Sequence, residues 1–258
     1  SKKSLGQNFL VDNNIIEKIV KLTDIYNKNI LEIGPGKGAL TDEILKKNPK
    51  SLILVEKDNN LSEELKIKYR NNKKISIYNK DILKLDIEEK IKRNSIVFGN
   101  LPYNISSQIL VKMIKFKKNP PMYSALIFMF QKEMAERING KFNTSKYGRL
   151  SILANYKLKV LKKFNVSANC FFPRPKIDST VIHFQPKKKF PTKIQNIENL
   201  ERITKILFSN RRKMINKSIK KIFNKSQFKV IEELNLQSRP SELNPNKYYE
   251  ITKSFEKL

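Results

Sequence analysis

Apolar residues recur at helical spacing in NNIIEKIVKL, residues 13–22, so a short amphipathic helix is expected near the start of the chain. The period then changes. NILEIG is a short apolar run closing on Gly34, ALTDEILKKN returns to helical spacing, and SLILVEKD is a second buried-type strand ending at Asp58. A helical segment follows, then ISIYNKD and SIVFGN as third and fourth strands, ILVKMIKF as a helix and YSALIFMFQ as a fifth strand. Residues 158–166 and 178–185 read as two more strands. Strands alternating with helices predict an α/β fold: a mostly parallel sheet with helices on both faces. The pattern breaks at QPKKKFPTKIQ, residues 185–195, where prolines and lysines mark a linker. Beyond it only short helical patterns survive. A sheet domain over 1–188 and a small all-α domain over 189–258 are expected.

The first strand ends in EIGPGKG, which places Glu32, Gly34, Gly36 and Gly38 at a strand–helix turn. Glycines there let backbone approach a nucleotide closely, beside a helix N-terminus. The spacing is G-x-G-x-G, not the G-x-G-x-x-G of dinucleotide binders, and no P-loop Lys follows. Glu56 closes the second strand, where a carboxylate can accept hydrogen bonds from both ribose hydroxyls; Asp81, after the third strand, can meet an adenine amino group. This arrangement suits S-adenosylmethionine better than NAD, because no pyrophosphate needs holding. The sheet is therefore read as a class I, Rossmann-like methyltransferase sheet.

FGNLPYNISS, residues 98–107, lies on the same edge, just past the fourth strand. An exocyclic adenine nitrogen is a poor nucleophile, its lone pair delocalised into the ring. Two acceptors on its hydrogens would aim that lone pair at a methyl donor. The Asn100 side-chain oxygen and the Leu101 carbonyl can be those acceptors, Pro102 stiffens the loop, and Tyr103 offers a flat face to a base. A base must be unpaired or flipped out to reach such a site. A second aromatic wall is sought in FFPRPKIDS, where Phe171 and Phe172 precede two prolines; one of the two is expected in the core.

Composition narrows the partners. With 53 basic and 24 acidic residues the formal charge is +29, which favours a polyanion such as nucleic acid, although a Lys-, Asn- and Ile-rich chain also fits an AT-rich coding sequence. One Cys (Cys170) and one His (His183, in a strand pattern) leave no basis for a disulfide or a cysteine or histidine metal cluster, so no metal is expected. No run of about 18 apolar residues occurs, and SKKSLGQNFLVDNN lacks the apolar core of a signal peptide. A cytoplasmic protein without a membrane partner is expected. In SNRRKMINKSIKKIFNK, residues 209–225, Ile215, Ile219 and Ile222 fall on one helical stripe while Arg211, Arg212, Lys213, Lys217, Lys220, Lys221 and Lys225 crowd the rest. An amphipathic helix gripping RNA phosphates is expected.

Six segments together, SLGQNFLVD (4–12), EIGPGKGALT (32–41), VEKD (55–58), FGNLPYNISS (98–107), FFPRPKIDSTV (171–181) and NRRK (210–213), resemble the ribosomal RNA adenine dimethyltransferases, in particular their bacterial small-subunit branch. They span nearly the whole chain in family order; NLPYNIS with GQNFL is the specific part. The resemblance implies that Asn8 and Leu10 close over the cofactor, and that Gly34, Gly36, Glu56, Asp81 and Asn100 line its site. It implies that Asn100, Leu101, Pro102 and Tyr103 hold the target adenine. Phe171 matches the family's second aromatic, and Phe172 fills a variable position. It further implies N6,N6-dimethylation of two adjacent adenines near the 3′ end of small-subunit RNA on an assembling subunit, with the helical domain docking rRNA, by a monomer. The macrolide-resistance type of large-subunit adenine methyltransferase, and a non-catalytic RNA-binding assembly factor on the same fold, remain alternatives at this level.

Overall fold

The computed structural model describes residues 8–223 and 234–257. Residues 1–7, which include Gly6 and Gln7 of the N-terminal motif, and Lys225 of the basic segment lie outside the described residues. Two compact units emerge: one from residues 1–135 and 159–186, the other from residues 136–158 and 187–258.

The first unit is built on a seven-stranded sheet. Its strands are β2 (Asn29–Ile33), β3 (Ser51–Glu56), β4 (Ile75–Asn79), β5 (Ser95–Asn100), β6 (Tyr123–Gln131), β7 (Leu158–Val166) and β9 (Ser179–Pro186), in the order β4-β3-β2-β5-β6-β9-β7. The pairs from β4 through β6 are parallel, and β9 runs antiparallel to β6. Four of the five residues of β2 and five of the six of β5 are buried. That explains their continuous apolar runs: a central parallel strand is covered on both faces and cannot alternate. His183 lies mid-strand on β9 opposite Ile127, as its sequence context suggests. Burial, reinforced by nearby Lys162, pushes its pKa below the usual histidine value.

Chain order fixes where a ligand can sit. From β2 the chain moves outward through β3 and β4, then returns to place β5 on the other side of β2. The connections leaving β2 and β5 thus part in opposite directions, opening a crevice at their carboxyl ends.

The expected helices are α1 (Asn13–Val20), α2 (Ala39–Lys46), α3 (Asn59–Tyr69) and α4 (Ser106–Ile114). Asp12 caps α1, its Oδ1 accepting from the Ile15 N–H at 3.0 Å, and Asp58 caps α3 in the same way. Three features were not legible. Two helices, α5 (Lys132–Ile138) and α6 (Arg149–Lys157), follow β6, and a two-stranded ribbon pairs β1 (Phe9–Leu10) with β8 (Phe171–Phe172). Two-residue strands carry no periodic signal.

The domain limits of 1–188 and 189–258 need correction. The second boundary falls at 186/187, close to expectation, but residues 136–158 leave the sheet unit and join the helical one. Tyr147, Ile152, Leu153 and Tyr156 pack with Leu200, Ile203, Leu207, Tyr248 and Tyr249 in its core, around α7 (Ile197–Leu207) and α9 (Pro245–Phe255). Its buried tyrosines are satisfied: Tyr147 donates to the Leu243 carbonyl at 2.9 Å and Tyr249 to the Ile152 carbonyl at 3.2 Å.

The basic segment also differs from expectation. Instead of one helix over 209–225, the described part is a 3-10 turn at Phe208–Asn210, an irregular stretch, and the four-residue α8 (Asn216–Ile219). The Ile215 and Asn216 N–H groups donate to the Ser238 and Leu236 carbonyls instead of to a preceding helical turn. Ile215 and Ile219 are buried in the helical unit's core and Ile222 packs against it, so the apolar stripe is present and the helical continuity is not.

Candidate active site

A cleft of about 400 Å³ opens at the carboxyl edge of the sheet unit, lined by the arm around Asn8–Leu10, the glycine loop, the ends of β3 and β4, and the Asn100–Ile105 turn. Gly34, Gly36 and Gly38 all have positive φ (67°, 57° and 82°), backbone that L side chains rarely adopt. A Cβ on Gly34 would lie 3.6 Å from the Asn100 carbonyl oxygen, so the loop and the β5 turn touch across the crevice. On Gly36 a Cβ would meet the Phe9 ring at 2.9 Å. The arm lies directly on the glycine loop.

Each described carboxylate lining the cleft is engaged. Glu56 accepts from the Asp58 N–H at 2.8 Å through Oε1 and from the Gly36 N–H at 3.2 Å through Oε2. Burial raises its pKa, and these N–H groups oppose the shift. Asp81 pairs with Lys57 Nζ at 3.0 Å and accepts from the Leu83 N–H at 2.9 Å. Partial burial would raise its pKa, but the Lys57 and Leu83 contacts outweigh it and hold it below the usual carboxylate value. Asp58 is committed to the N-terminus of α3. Glu32, fully enclosed, takes a 2.6 Å hydrogen bond from Thr41 Oγ1, and burial pushes its pKa up to about 8.

The NLPYN turn is ordered by its own hydrogen bonds. The Ile105 N–H closes on the Pro102 carbonyl at 3.1 Å, and Ser106 Oγ donates to the Tyr103 carbonyl at 3.2 Å as α4 begins. Asn100 Nδ2 donates to the Asn8 carbonyl at 3.1 Å. That bond commits the amide's NH2 group to the arm and fixes which way the side chain faces. The Tyr103 hydroxyl lies 2.8 Å from Ser179 Oγ at the start of β9, which pins the far end of the ring. Burial raises the Tyr103 pKa, so the phenol stays neutral.

The structure therefore gathers Asn8, Leu10, Gly34, Gly36, Glu56, Asp81, Asn100, Leu101, Pro102 and Tyr103 around one cleft. It does not bring Phe171 there as an open aromatic wall. Phe171 is 3% exposed, sits opposite Leu10 in the β1–β8 ribbon, and packs into the sheet unit's core. Phe172 is the exposed member of the pair. Adjacent residues of a strand face opposite ways, and pairing with the arm turns Phe171 inward. Arg211, Arg212, Lys213, Lys217, Lys220 and Lys221 belong to the other unit and are all exposed. Arg211 has a structural task there, its Nη2 donating to the Ser145 carbonyl at 2.6 Å.

The family model described as ribosomal RNA adenine dimethylase matches residues 1–257. The chain belongs to the ribosomal RNA adenine dimethylase family. A relative from Pelagibacter ubique (strain HTCC1062), named ribosomal RNA small subunit methyltransferase A, is 48% identical over the whole chain and 98% of its own length. One of the same name from a Wolbachia of Drosophila simulans is 42% identical over 94% of this chain and 89% of its own. The crystal structure of a dimethyladenosine transferase from Plasmodium falciparum superposes with a TM-score of 0.80 at 26% identity, covering 96% of this chain and 98% of that one. The 23S rRNA methyltransferase ErmE, at 20% identity and a TM-score of 0.69, shares the fold. The class I methyltransferase fold expected from the sequence is therefore present, and this dimethylase uses S-adenosylmethionine.

Around the cleft of this dimethylase, three side chains to which the sequence assigns no role hold its parts in place. Phe9 covers the glycine loop, Ser179 holds Tyr103, and Lys57 holds Asp81. Phe9 stands inside the GQNFL motif. Nothing in the sequence around Ser179 signals its partner, because the contact joins β9 to the turn after β5.

Proposed function

We propose that this enzyme dimethylates the N6 amino groups of two adjacent adenines near the 3′ end of small-subunit rRNA, acting as a cytoplasmic monomer on an assembling subunit. Family membership and the small-subunit names of its relatives support the substrate. The observation that best supports the chemistry is Asn100: its NH2 group is taken by the Asn8 carbonyl, which leaves Oδ1 as an acceptor. With the Leu101 carbonyl it would receive the two hydrogens of an adenine amino group. The nitrogen lone pair would then be aimed, which is catalysis by orientation and electrostatics.

The cleft also fits the cofactor. Positive-φ glycines leave backbone bare against the ligand, and Glu56 keeps lone pairs for ribose hydroxyls beyond its two backbone bonds. When bound, S-adenosylmethionine supplies an electrophilic methyl group. Residues of this chain position the acceptor: Tyr103 would hold the adenine ring by stacking, with its hydroxyl moored to Ser179. The lining carboxylates are engaged elsewhere, so the amine's proton would pass to solvent after transfer. Mapping modified bases by mass spectrometry tests the reading. Ribosomal RNA from cells with the enzyme should carry dimethyladenine in the small-subunit RNA, and RNA from cells lacking it should not. Methylation confined to large-subunit RNA would overturn the assignment.

A further inference from the structure

We propose that Phe172 is a second RNA platform outside the cleft, stacking on the unpaired base next to the target adenine. The inference rests on the RNA-methylating reading above. Phe172 is 71% exposed, an unusual position for a phenylalanine inside a strand pair. Directly opposed residues of an antiparallel pair share one face with Cβ atoms about 5 Å apart. Phe172 opposes Phe9, and Leu10 opposes Phe171. One face of the ribbon, Leu10 and Phe171, is buried in the core. The other face carries Phe9, which lines the cleft over Gly36, and beside it Phe172, which stands outside the cleft's lining. An aromatic surface thus continues from the cleft outward.

The surroundings select the ligand. Arg174 and Lys176 follow Phe172, and Phe9 itself has Lys37 Nζ 5.5 Å from its ring centre. A flat apolar face with cations close by in the chain and over the neighbouring ring suits a nucleotide strand, base on the ring and phosphates on the charges. The same chain segment runs on to Ser179, which anchors Tyr103. A base on Phe172 and a base on Tyr103 would therefore be held by two ends of one short connection. Phe172 would set the strand's register and leave the methyl transfer to the cleft.

The test uses the full-length enzyme and RNA oligonucleotides of the substrate segment carrying 2-aminopurine either at the target adenine or at its neighbour. Wild type should change the fluorescence of both probes on binding. Phe172→Ala should lose the neighbour signal and keep the target signal, raise KM for unmethylated small subunits roughly tenfold, and leave kcat and S-adenosylmethionine affinity near wild type. Phe172→Trp should behave as wild type in every measurement. An unchanged KM and neighbour signal in Phe172→Ala would overturn the proposal. So would loss of the target signal instead, which would make Phe172 a wall of the cleft, or weakened cofactor binding in both variants, which would reduce it to packing of the arm. If wild type gave both signals but methylated another RNA, the functional reading would fail while the stacking platform stood.

Discussion

At Asn100 the NH2 group is bonded to the arm, and in the proposed function the side-chain oxygen is assigned to the adenine. Asn100→Ala should reduce transfer by at least about 100-fold, on the order of the drop when one orienting group is removed, while RNA binding measured by filter retention persists. Turnover near wild type would refute the role. Glu32 makes a different prediction. Its folded pKa of about 8 exceeds the ordinary glutamate value of 4.5, so the folded state holds a proton that the unfolded state gives up. The linked stability is fully present below about pH 4.5 and is lost as pH rises through 8. Glu32→Gln keeps an acceptor for Thr41 without a proton to lose. Urea denaturation at about pH 5.5 and about pH 9, either side of the folded pKa, should show the variant gaining on wild type at the higher pH; parallel curves would mean Glu32 is ionised in the fold. The acids and the NLPY residues were readable because strand-end position and side-chain chemistry are local. The Phe171 and Phe172 assignment was not, because a shift of one residue exchanges the faces of a strand and only the pairing with β1 decides it.

Among elements, the arm and the glycine loop act as a pair. Gly36 has φ of 57° and carries the Phe9 ring where a side chain would stand. Gly36→Ala should impose about 1–2 kcal/mol of backbone strain and lift Phe9 off the loop. Calorimetric titration with S-adenosylmethionine should show affinity reduced at least about fivefold, the equivalent of the lower end of that strain, with the fold intact by circular dichroism. Unaltered affinity would show that arm and loop do not act together. Strands and helices of the sheet unit were largely legible, since each carries its own period. The segment 209–223 was not: its isoleucine stripe marks a buried face, but tertiary hydrogen bonds to Leu236 and Ser238 displace the helical ones.

For the whole molecule the dominant property is charge. Arg212, Lys213, Lys217, Lys220 and Lys221 are exposed, and we propose that they meet RNA phosphates, whereas Arg211 braces the chain at Ser145. Changing these five to Gln should weaken RNA binding at low salt. The slope of log affinity against log salt should shrink by roughly 0.7–0.9 for each phosphate no longer neutralised, while cofactor affinity is unaffected. An unchanged slope would place the RNA elsewhere. No described helix is long and apolar enough to cross a membrane.

What the sequence determined by itself was the set of parts: the periods of the sheet strands, the glycines that require positive φ, the acids at strand ends, the NLPY turn and the excess of cations. Each depends on neighbours within a few residues. The tertiary structure decided what those parts do to one another. The return of the chain from β4 to β5 sets Gly34 against Asn100, the β1–β8 ribbon buries Phe171 and exposes Phe172, and Ser179 reaches Tyr103. Residues 136–158 leave the sheet for the helical core for the same reason. These contacts join residues far apart in the chain, and their energies come from packing and hydrogen bonding that local patterns do not encode.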